Sequence, residues 1–293
     1  MRKLLGLALV TALLAVGCAL VNLPSSSPTP ADNQSNAMAE LHTDDAPVAS
    51  PMAKDVDPDL VVAEDVTYGT FNDVPFEGYL VKPVNAASPL PGLIVIQEWW
   101  GLNDNIRTMT RRLAAEGYAA LAVDLYDGQV AETPDEARTL VQAAIQNSER
   151  LTQNVVAAHN YLVDAQQATK VGSIGWCFGG SWSLNTALAL PTDLDAVVIY
   201  YGGQISTDPA ILEALQMPIQ GHFGALDTNP SPDTVQAFET ALNGLGKDTE
   251  IYMYEGANHA FANPSGTRYN AEAADLSWQR TVAFLKQHLQ DNS

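Results

Sequence analysis

The alternation of hydrophobic and polar positions divides the chain from residue 59 onward into strand-like and helix-like segments. Short apolar runs rich in β-branched residues predict eight strands, at 60–71, 74–82, 92–97, 118–125, 170–176, 195–201, 217–223 and 249–254. The turn signal NDV separates the first two strands, so we expect them to form an antiparallel hairpin.

Helical patterns separate most of the later strands. Ile106, Met109 and Leu113 fall on one face of a segment that ends at Gly117, and a further helix opens with a Thr133-x-x-Glu136 capping box. Other helices are predicted directly after residue 177 and at 148–166, 232–244 and 271–289. This order predicts an α/β fold with a mostly parallel eight-stranded sheet and helices on both faces. Ligands should then bind at the carboxyl ends of the strands.

The N-terminal segment is typical of a targeting sequence rather than of a folded element. Arg2 and Lys3 precede an apolar run over residues 4–16 that is too short to span a bilayer, which is typical of an export signal over 1–17. Gly17-Cys18 closes that run and resembles a bacterial lipobox, which implies lipidation of Cys18. The alternative is an ordinary signal peptide with an incidental cysteine. Residues 18–58 are rich in Pro, Ser, Ala, Asn and Asp and predict a flexible tether to one domain over 59–293.

The net charge excludes some classes of binding partner, and the cysteine content indicates a reactive thiol. The chain has 14 Lys and Arg against 34 Asp and Glu, a net charge of −20, which disfavours nucleic acid and anionic membrane surfaces as partners. Membrane contact is therefore expected only through a lipidated N-terminus, on an exported protein anchored in a bacterial cell envelope. Cys18 and Cys177 are the two cysteines, so a lipidated Cys18 leaves one unpaired thiol, which points to reactivity. We expect a monomer.

The stretch VGSIGWCFGGSW places that thiol in a special local setting. Gly175 and Gly179 flank Cys177 at minus and plus two, between a predicted strand and a predicted helix. This is the pattern of a nucleophile elbow with cysteine in place of serine, and the helix N-terminus favours a thiolate there. The alternative is a turn with an inert buried cysteine.

An elbow nucleophile needs an acid and a base that follow it in the order nucleophile, acid, base. Asp227 follows one later strand and His259 follows the next, in a loop rich in Gly and Asn. Asp233 is a rival acid but falls in the first turn of a predicted helix. The other four histidines are weaker candidates, because His42 falls in the tether, His159 and His288 fall in predicted helices, and His222 is expected in the core.

Four stretches together resemble the dienelactone hydrolase family: LIVIQEWWGLNDNIRTMTRRLAAEGYAALAVDLY, GWCFGG, FGALDTN and EGANHAF. The similarity covers about residues 64–288. It implies an α/β-hydrolase fold and hydrolysis of lactones or esters by a Cys-His-Asp triad, here Cys177, His259 and Asp227. It also implies that Glu98 acts as an extra acid that exchanges the thiol proton when substrate arrives. Backbone N–H groups of Trp99 and Phe178 would form the oxyanion hole.

The sequence departs from the family around the substrate. Gly128 and Asn263 stand where the best-known members carry arginines that bind a lactone carboxylate, and Ala260 follows the histidine in place of serine. Trp99 and Trp100 replace smaller residues. The resemblance therefore implies a more apolar pocket that favours neutral substrates. Its candidate lining residues are Trp100, Tyr126 and Asn263, and the cations that could replace the arginines are Arg107 and Arg268.

The sequence thus predicts a lactone or carboxylic ester hydrolase with a thiol acyl-enzyme intermediate. One alternative is an esterase or thioesterase for an unrelated neutral substrate that uses the same residues. Another is a non-catalytic envelope binding protein on the same fold, because fold does not fix function. We expect no cofactor and no metal, since the Cys and His spacing matches no metal motif.

Overall fold

The computed structural model describes residues 40, 42, 43, 47, 54–86 and 89–290. The predicted export signal and Cys18 lie outside the described residues. Within the described part of the chain, each helix is too short or too polar to cross a membrane.

Eight strands form a single sheet, as the pattern of apolar runs predicts. Their order across the sheet is β1-β2-β4-β3-β5-β6-β7-β8. Strands β1, β2 and β4 pair in antiparallel fashion, whereas the remaining neighbours are parallel. The strands are β1 (Val61–Phe71), β2 (Val74–Pro83), β3 (Gly92–Ile96), β4 (Ala119–Val123), β5 (Val171–Trp176), β6 (Ala196–Tyr200), β7 (Ile219–Gly224) and β8 (Thr249–Tyr254).

The central strands are continuous apolar runs because both of their faces are covered. All residues of β3, β4, β5 and β6 are buried. A short 3₁₀ helix, Pro58–Leu60, leads into β1. The α-helices are α1 (Asp104–Ala115), α2 (Pro134–Gln146), α3 (Ser148–Asp164), α4 (Phe178–Ala189), α5 (Pro209–Leu212), α6 (Pro232–Gly244) and α7 (Ala271–Leu289).

Two glycines show that the helices lie on both faces. Gly92 pairs with Val171, so Gly92 and Gly172 point to opposite sides of the sheet. A Cβ on Gly92 would meet Leu162 of α3 at 3.2 Å, and a Cβ on Gly172 would meet Leu289 of α7 at 2.8 Å. Helices α3 and α7 therefore cover opposite faces, which confirms the predicted architecture.

The helix starts follow the sequence signals. Thr133 Oγ1 accepts a hydrogen bond from the backbone N–H of Glu136, and the Glu136 carboxylate accepts from the N–H of Glu132. Asn103 caps α1 by accepting from the N–H of Ile106 at 3.2 Å. Such caps satisfy N–H groups that a helix leaves unpaired in its first turn. The parallel pairing of β3 to β8 places the carboxyl ends of these strands, where the candidate chemistry lies, at one edge of the sheet.

Candidate active site

Cys177 occupies a sharp turn between β5 and α4. Its backbone has φ 57° and ψ −115°, a conformation that is rare for a residue with a side chain. Its N–H donates to the carbonyl of Tyr200 at 3.0 Å, and its carbonyl accepts from the N–H of Ser181 at 3.2 Å. The turn is thus held by neighbouring β6 and by the first turn of α4. Backbone strain of this kind concentrates at functional sites.

Close backbone contacts require glycine at both positions that flank Cys177, Gly175 and Gly179. A Cβ on Gly175 would lie 2.1 Å from the carbonyl oxygen of Gly179. A Cβ on Gly179 would lie 2.3 Å from the carbonyl oxygen of Ile96 and 2.5 Å from that of Gln97. The helix can therefore pack this closely against β5 and the end of β3 only without side chains at these positions. This close packing brings Cys177 next to the segment that follows β3.

His259 and Asp227 meet as the chain order predicts. His259 Nδ1 lies 2.8 Å from Asp227 Oδ2, and both side chains have no exposed surface. The second oxygen of Asp227 accepts from the N–H of Asn229 at 2.8 Å, which orients the carboxylate. Burial lowers the pKa of His259, but the charges of Asp227 and Cys177, and hydrogen bonds to both, outweigh it and raise that pKa to about 10. These contacts therefore favour the protonated imidazole of His259.

Glu98 lies at the same edge, directly after β3. Its Oε2 accepts from Nδ2 of Asn263 at 2.5 Å, while Asn263 Oδ1 accepts from Asn105 at 3.1 Å and from Ser265 at 2.6 Å. These contacts fix which way the Asn263 amide points, because a carboxylate only accepts. Asn263, a predicted pocket residue, therefore orients Glu98 in the position where the family resemblance implies an arginine.

The predicted oxyanion-hole residues follow the carboxyl ends of two adjacent strands, β3 and β5. Phe178 is the first residue of α4, where a helix leaves N–H groups without an intrahelical partner. Trp99 follows Glu98 in the turn after β3, which is parallel to β5 and beside it. Their backbone groups thus lie at the same edge as Cys177, and their role stays a prediction.

The remaining predicted pocket residues are all buried. Trp99 and Trp100 are 2% and 1% exposed, with ring centroids 4.8 Å apart. Tyr126 is 4% exposed, and its ring lies 5.7 Å from that of Phe178. Their burial next to the elbow is consistent with an apolar wall, although contact with a substrate stays a prediction.

The weaker candidates, namely Asp233 and the histidines other than His259, lie where the sequence predicts, with one exception. His222 lies in the core, within 2.8 Å of Tyr254 Oη and of Gln220 Oε1, and burial lowers its pKa well below the usual range. Asp233 lies in the first turn of α6. His42 is the exception, because it is 2% exposed and its ring lies 5.4 Å from that of His259.

The sequence pattern does not predict two residues at the site, Tyr201 and His42. Tyr201 follows β6, and its ring lies 5.1 Å from that of His259; the general rule that sites lie at strand ends could have found it. Burial, then the charges of Glu98 and Cys177, raise the pKa of Tyr201 well above its usual value, so the phenol stays neutral. His42 precedes the domain and has no periodic signal in the sequence.

Of the two candidate cations, only Arg268 reaches the site. Its Nε donates to the carbonyl of His259 at 3.1 Å. Arg107 instead pairs with Asp65 at 2.9 Å and lies over the ring of Tyr79. One positive charge therefore lies near the loop that carries His259, and it comes from a position other than the two that carry arginines in the family.

A small cavity opens beside these groups. It measures about 30 Å³ and is lined by residues that include Lys54, Glu98, Asn105, Trp176, Tyr201 and Asn263. Ligand pockets are commonly about 300–1,000 Å³. The cavity is therefore much smaller than a typical ligand pocket.

Comparison with known proteins agrees with this geometry. A sequence model of the dienelactone hydrolase family matches residues 76–289. A protein of Saccharolobus solfataricus provisionally named carboxymethylenebutenolidase is 33% identical over 248 residues, which cover 71% of this chain and 92% of that protein.

Solved structures give the same result. One described provisionally as a dienelactone hydrolase from Klebsiella pneumoniae superposes with a TM-score of 0.68 at 30% identity, covering 78% of this chain and 99% of that one. A dienelactone hydrolase-like promiscuous phosphotriesterase from metagenomic libraries has a TM-score of 0.71 at 25% identity, with coverage of 78% and 99%. These matches confirm the resemblance seen in the sequence: the chain belongs to the dienelactone hydrolase family and is a hydrolase.

Proposed function

We propose that the protein hydrolyses a lactone or carboxylic ester through a thioester formed on Cys177. One observation carries the proposal. The Cys177 sulfur and a ring nitrogen of His259 lie within 4.8 Å of each other, and Asp227 holds the other ring nitrogen at 2.8 Å. A nucleophile, a base and a group that orients the base are the parts that covalent acyl transfer needs.

The reaction would run in two halves. The Cys177 thiolate attacks the carbonyl carbon, and the tetrahedral intermediate collapses as His259 gives its proton to the leaving oxygen. The C–O bond breaks and the acyl group remains on sulfur. In the second half His259 takes a proton from water, the hydroxide attacks the thioester, and the C–S bond breaks to release the acid. Cys177 returns as a thiolate and His259 as an imidazolium.

Glu98 would contribute the extra acid that the family resemblance implies. Its buried carboxylate, held by Asn263, lines the cavity together with Tyr201. A negative charge in this place would repel an anionic substrate and favour a neutral one. We therefore propose neutral esters or lactones as the substrate class.

Alkylation tests the covalent mechanism. A Cys18→Ser variant leaves Cys177 as the single thiol, and iodoacetamide should then abolish hydrolysis of p-nitrophenyl esters in step with the mass increase. Cys177→Ala and His259→Ala should each lower kcat by roughly 10³-fold or more, and the double variant should be no worse than either. Full activity after complete alkylation would refute the thioester. If the unmodified protein turned over no activated ester or lactone, the non-catalytic binding protein would be the better reading.

We also propose that the protein is exported and anchored by a lipid on Cys18. The charged start, the short apolar run and the Gly17-Cys18 pair support this proposal. The anchor would hold the enzyme at a bacterial cell envelope.

A further inference from the structure

His42 lies among the candidate catalytic groups although it precedes the part of the chain that matches the family. Its ring centroid is 4.9 Å from that of Trp99, and its ring stands nearly perpendicular to that of His259. One of its ring nitrogens, the Cys177 sulfur and a nitrogen of His259 all lie within 4.8 Å of one another. The segment before the domain thus supplies a third polar atom at the point of attack.

Arg268 fixes the orientation of His42. Its Nη2 lies 2.5 Å from His42 Nδ1, and its Nε donates to the carbonyl of His259. A guanidinium only donates, so Nδ1 accepts and the neutral ring of His42 carries its proton on Nε2. His42 is therefore an N–H donor, and Arg268 links its ring to the loop that carries His259. The positive charge of Arg268 also opposes a metal cation at His42.

Two described residues that follow His42, Pro47 and Asp55, contact α1 or its cap. Asn103, the cap of α1, donates its amide to the carbonyl of Pro47 at 3.0 Å. Arg111 of α1 binds the Asp55 carboxylate through two nitrogens, at 2.9 and 2.6 Å. Such contacts are individually weak at a surface. Lys54, the neighbour of Asp55, lines the cavity.

We propose that His42 is a substrate-contacting residue whose Nε2–H donates a hydrogen bond to the leaving oxygen of the ester. This inference rests on the proposed function. The leaving oxygen must come close to the Cys177 sulfur and to His259, and a ring nitrogen of His42 lies within 4.8 Å of both groups. His259 supplies the proton as the C–O bond breaks, while the proton on His42 stays on its nitrogen and stabilises the developing charge.

The dependence on the leaving group tests this role in the full-length protein. A donor to the leaving oxygen matters most when that oxygen becomes strongly basic, as in an alkyl ester, and least for p-nitrophenolate. His42→Ala should lower kcat/KM roughly 10- to 100-fold for ethyl esters but less than about threefold for p-nitrophenyl esters of the same acid. His42→Gln should recover part of the loss, because its amide can donate from a similar place. Thr43→Ala, a change of the exposed neighbouring side chain, is the matched control and should leave both rates unchanged.

Two controls separate this proposal from the proposed function. Alkylation of Cys177 at the wild-type rate in His42→Ala, with an unchanged Tm, would show that the nucleophile and fold are intact. Equal losses on both esters in His42→Ala would overturn the donor role. An increase in kcat/KM would also overturn it, because His42 would then only obstruct access to the site. If the wild-type protein hydrolyses neither ester, the proposed function fails and this inference fails with it.

Discussion

Replacement of Asp227 by asparagine tests the central ionic arrangement of the site. The substitution keeps size and can retain the contact with the Asn229 N–H, but it removes the negative charge 2.8 Å from His259 Nδ1. An amide can also present N–H to Nδ1, which would stabilise the wrong tautomer of the imidazole. The change therefore alters both the charge and the orientation of the proposed base.

The size of the effect follows from the pKa of His259. Burial lowers that pKa, but the groups around the ring raise it overall from 6.5 to about 10. Asp227 makes the largest contribution among the groups that raise it. At 1.36 kcal/mol per pH unit, this interval corresponds to roughly 5 kcal/mol in favour of the imidazolium. In the wild type, acyl transfer needs the protonated ring, so kcat/KM should be maintained up to alkaline pH and fall as pH rises through about 10. In Asp227→Asn the fall should move down by at least one pH unit.

The assay is the pH profile of kcat/KM for a neutral p-nitrophenyl ester, measured with the wild type and the variant. At pH 7 we expect kcat to drop on the order of 10³- to 10⁴-fold, as when the orienting acid of a triad is neutralised. Asp233→Asn is the matched control, because Asp233 is exposed on the first turn of α6, and it should behave as wild type. A variant at position 227 that kept more than a tenth of the activity with an unshifted alkaline limb would refute the proposed role of Asp227.

Three further predictions concern packing, substrate choice and anchoring. Gly179→Ala should lower the stability by about 3 kcal/mol and Tm by roughly 6–12 °C, because its Cβ would meet backbone oxygens at 2.3 and 2.5 Å; Gly244→Ala, with nothing within 4 Å, should not lower Tm. Neutral esters or simple lactones should exceed a carboxylated dienelactone in kcat/KM by about 100-fold or more, since two charge-assisted contacts of roughly 1.5–3 kcal/mol each are missing; kinetics at two salt concentrations would contradict this if the anionic lactone were preferred. The native protein should incorporate labelled palmitate and Cys18→Ala should not; an unmodified mature N-terminus at another residue would exclude the lipoprotein.

The sequence by itself determined the fold and predicted the nucleophile, because both depend on local patterns. The strand and helix periods, the capping box at Thr133 and the hairpin turn are each read within a few residues, and the sheet followed from their order. The elbow could be predicted because Gly175 and Gly179 flank Cys177 within five consecutive residues, although the close approach of Gly179 to Ile96 and Gln97 is visible only in the fold. Asp227 and His259 could be named because parallel strands bring their carboxyl ends to one edge.

Only the tertiary structure decided which distant groups share the site. His42 and Arg268 are 226 positions apart, and Asn263 reaches Glu98 across 165 positions. A hydrogen bond between such residues leaves no period in the sequence, because neither side chain needs a local pattern to be useful. The pKa of His259 likewise depends on the burial and charges that the folded chain assembles around it. Local patterns therefore predicted the scaffold and the nucleophile, whereas long-range packing decided the composition and electrostatics of the site.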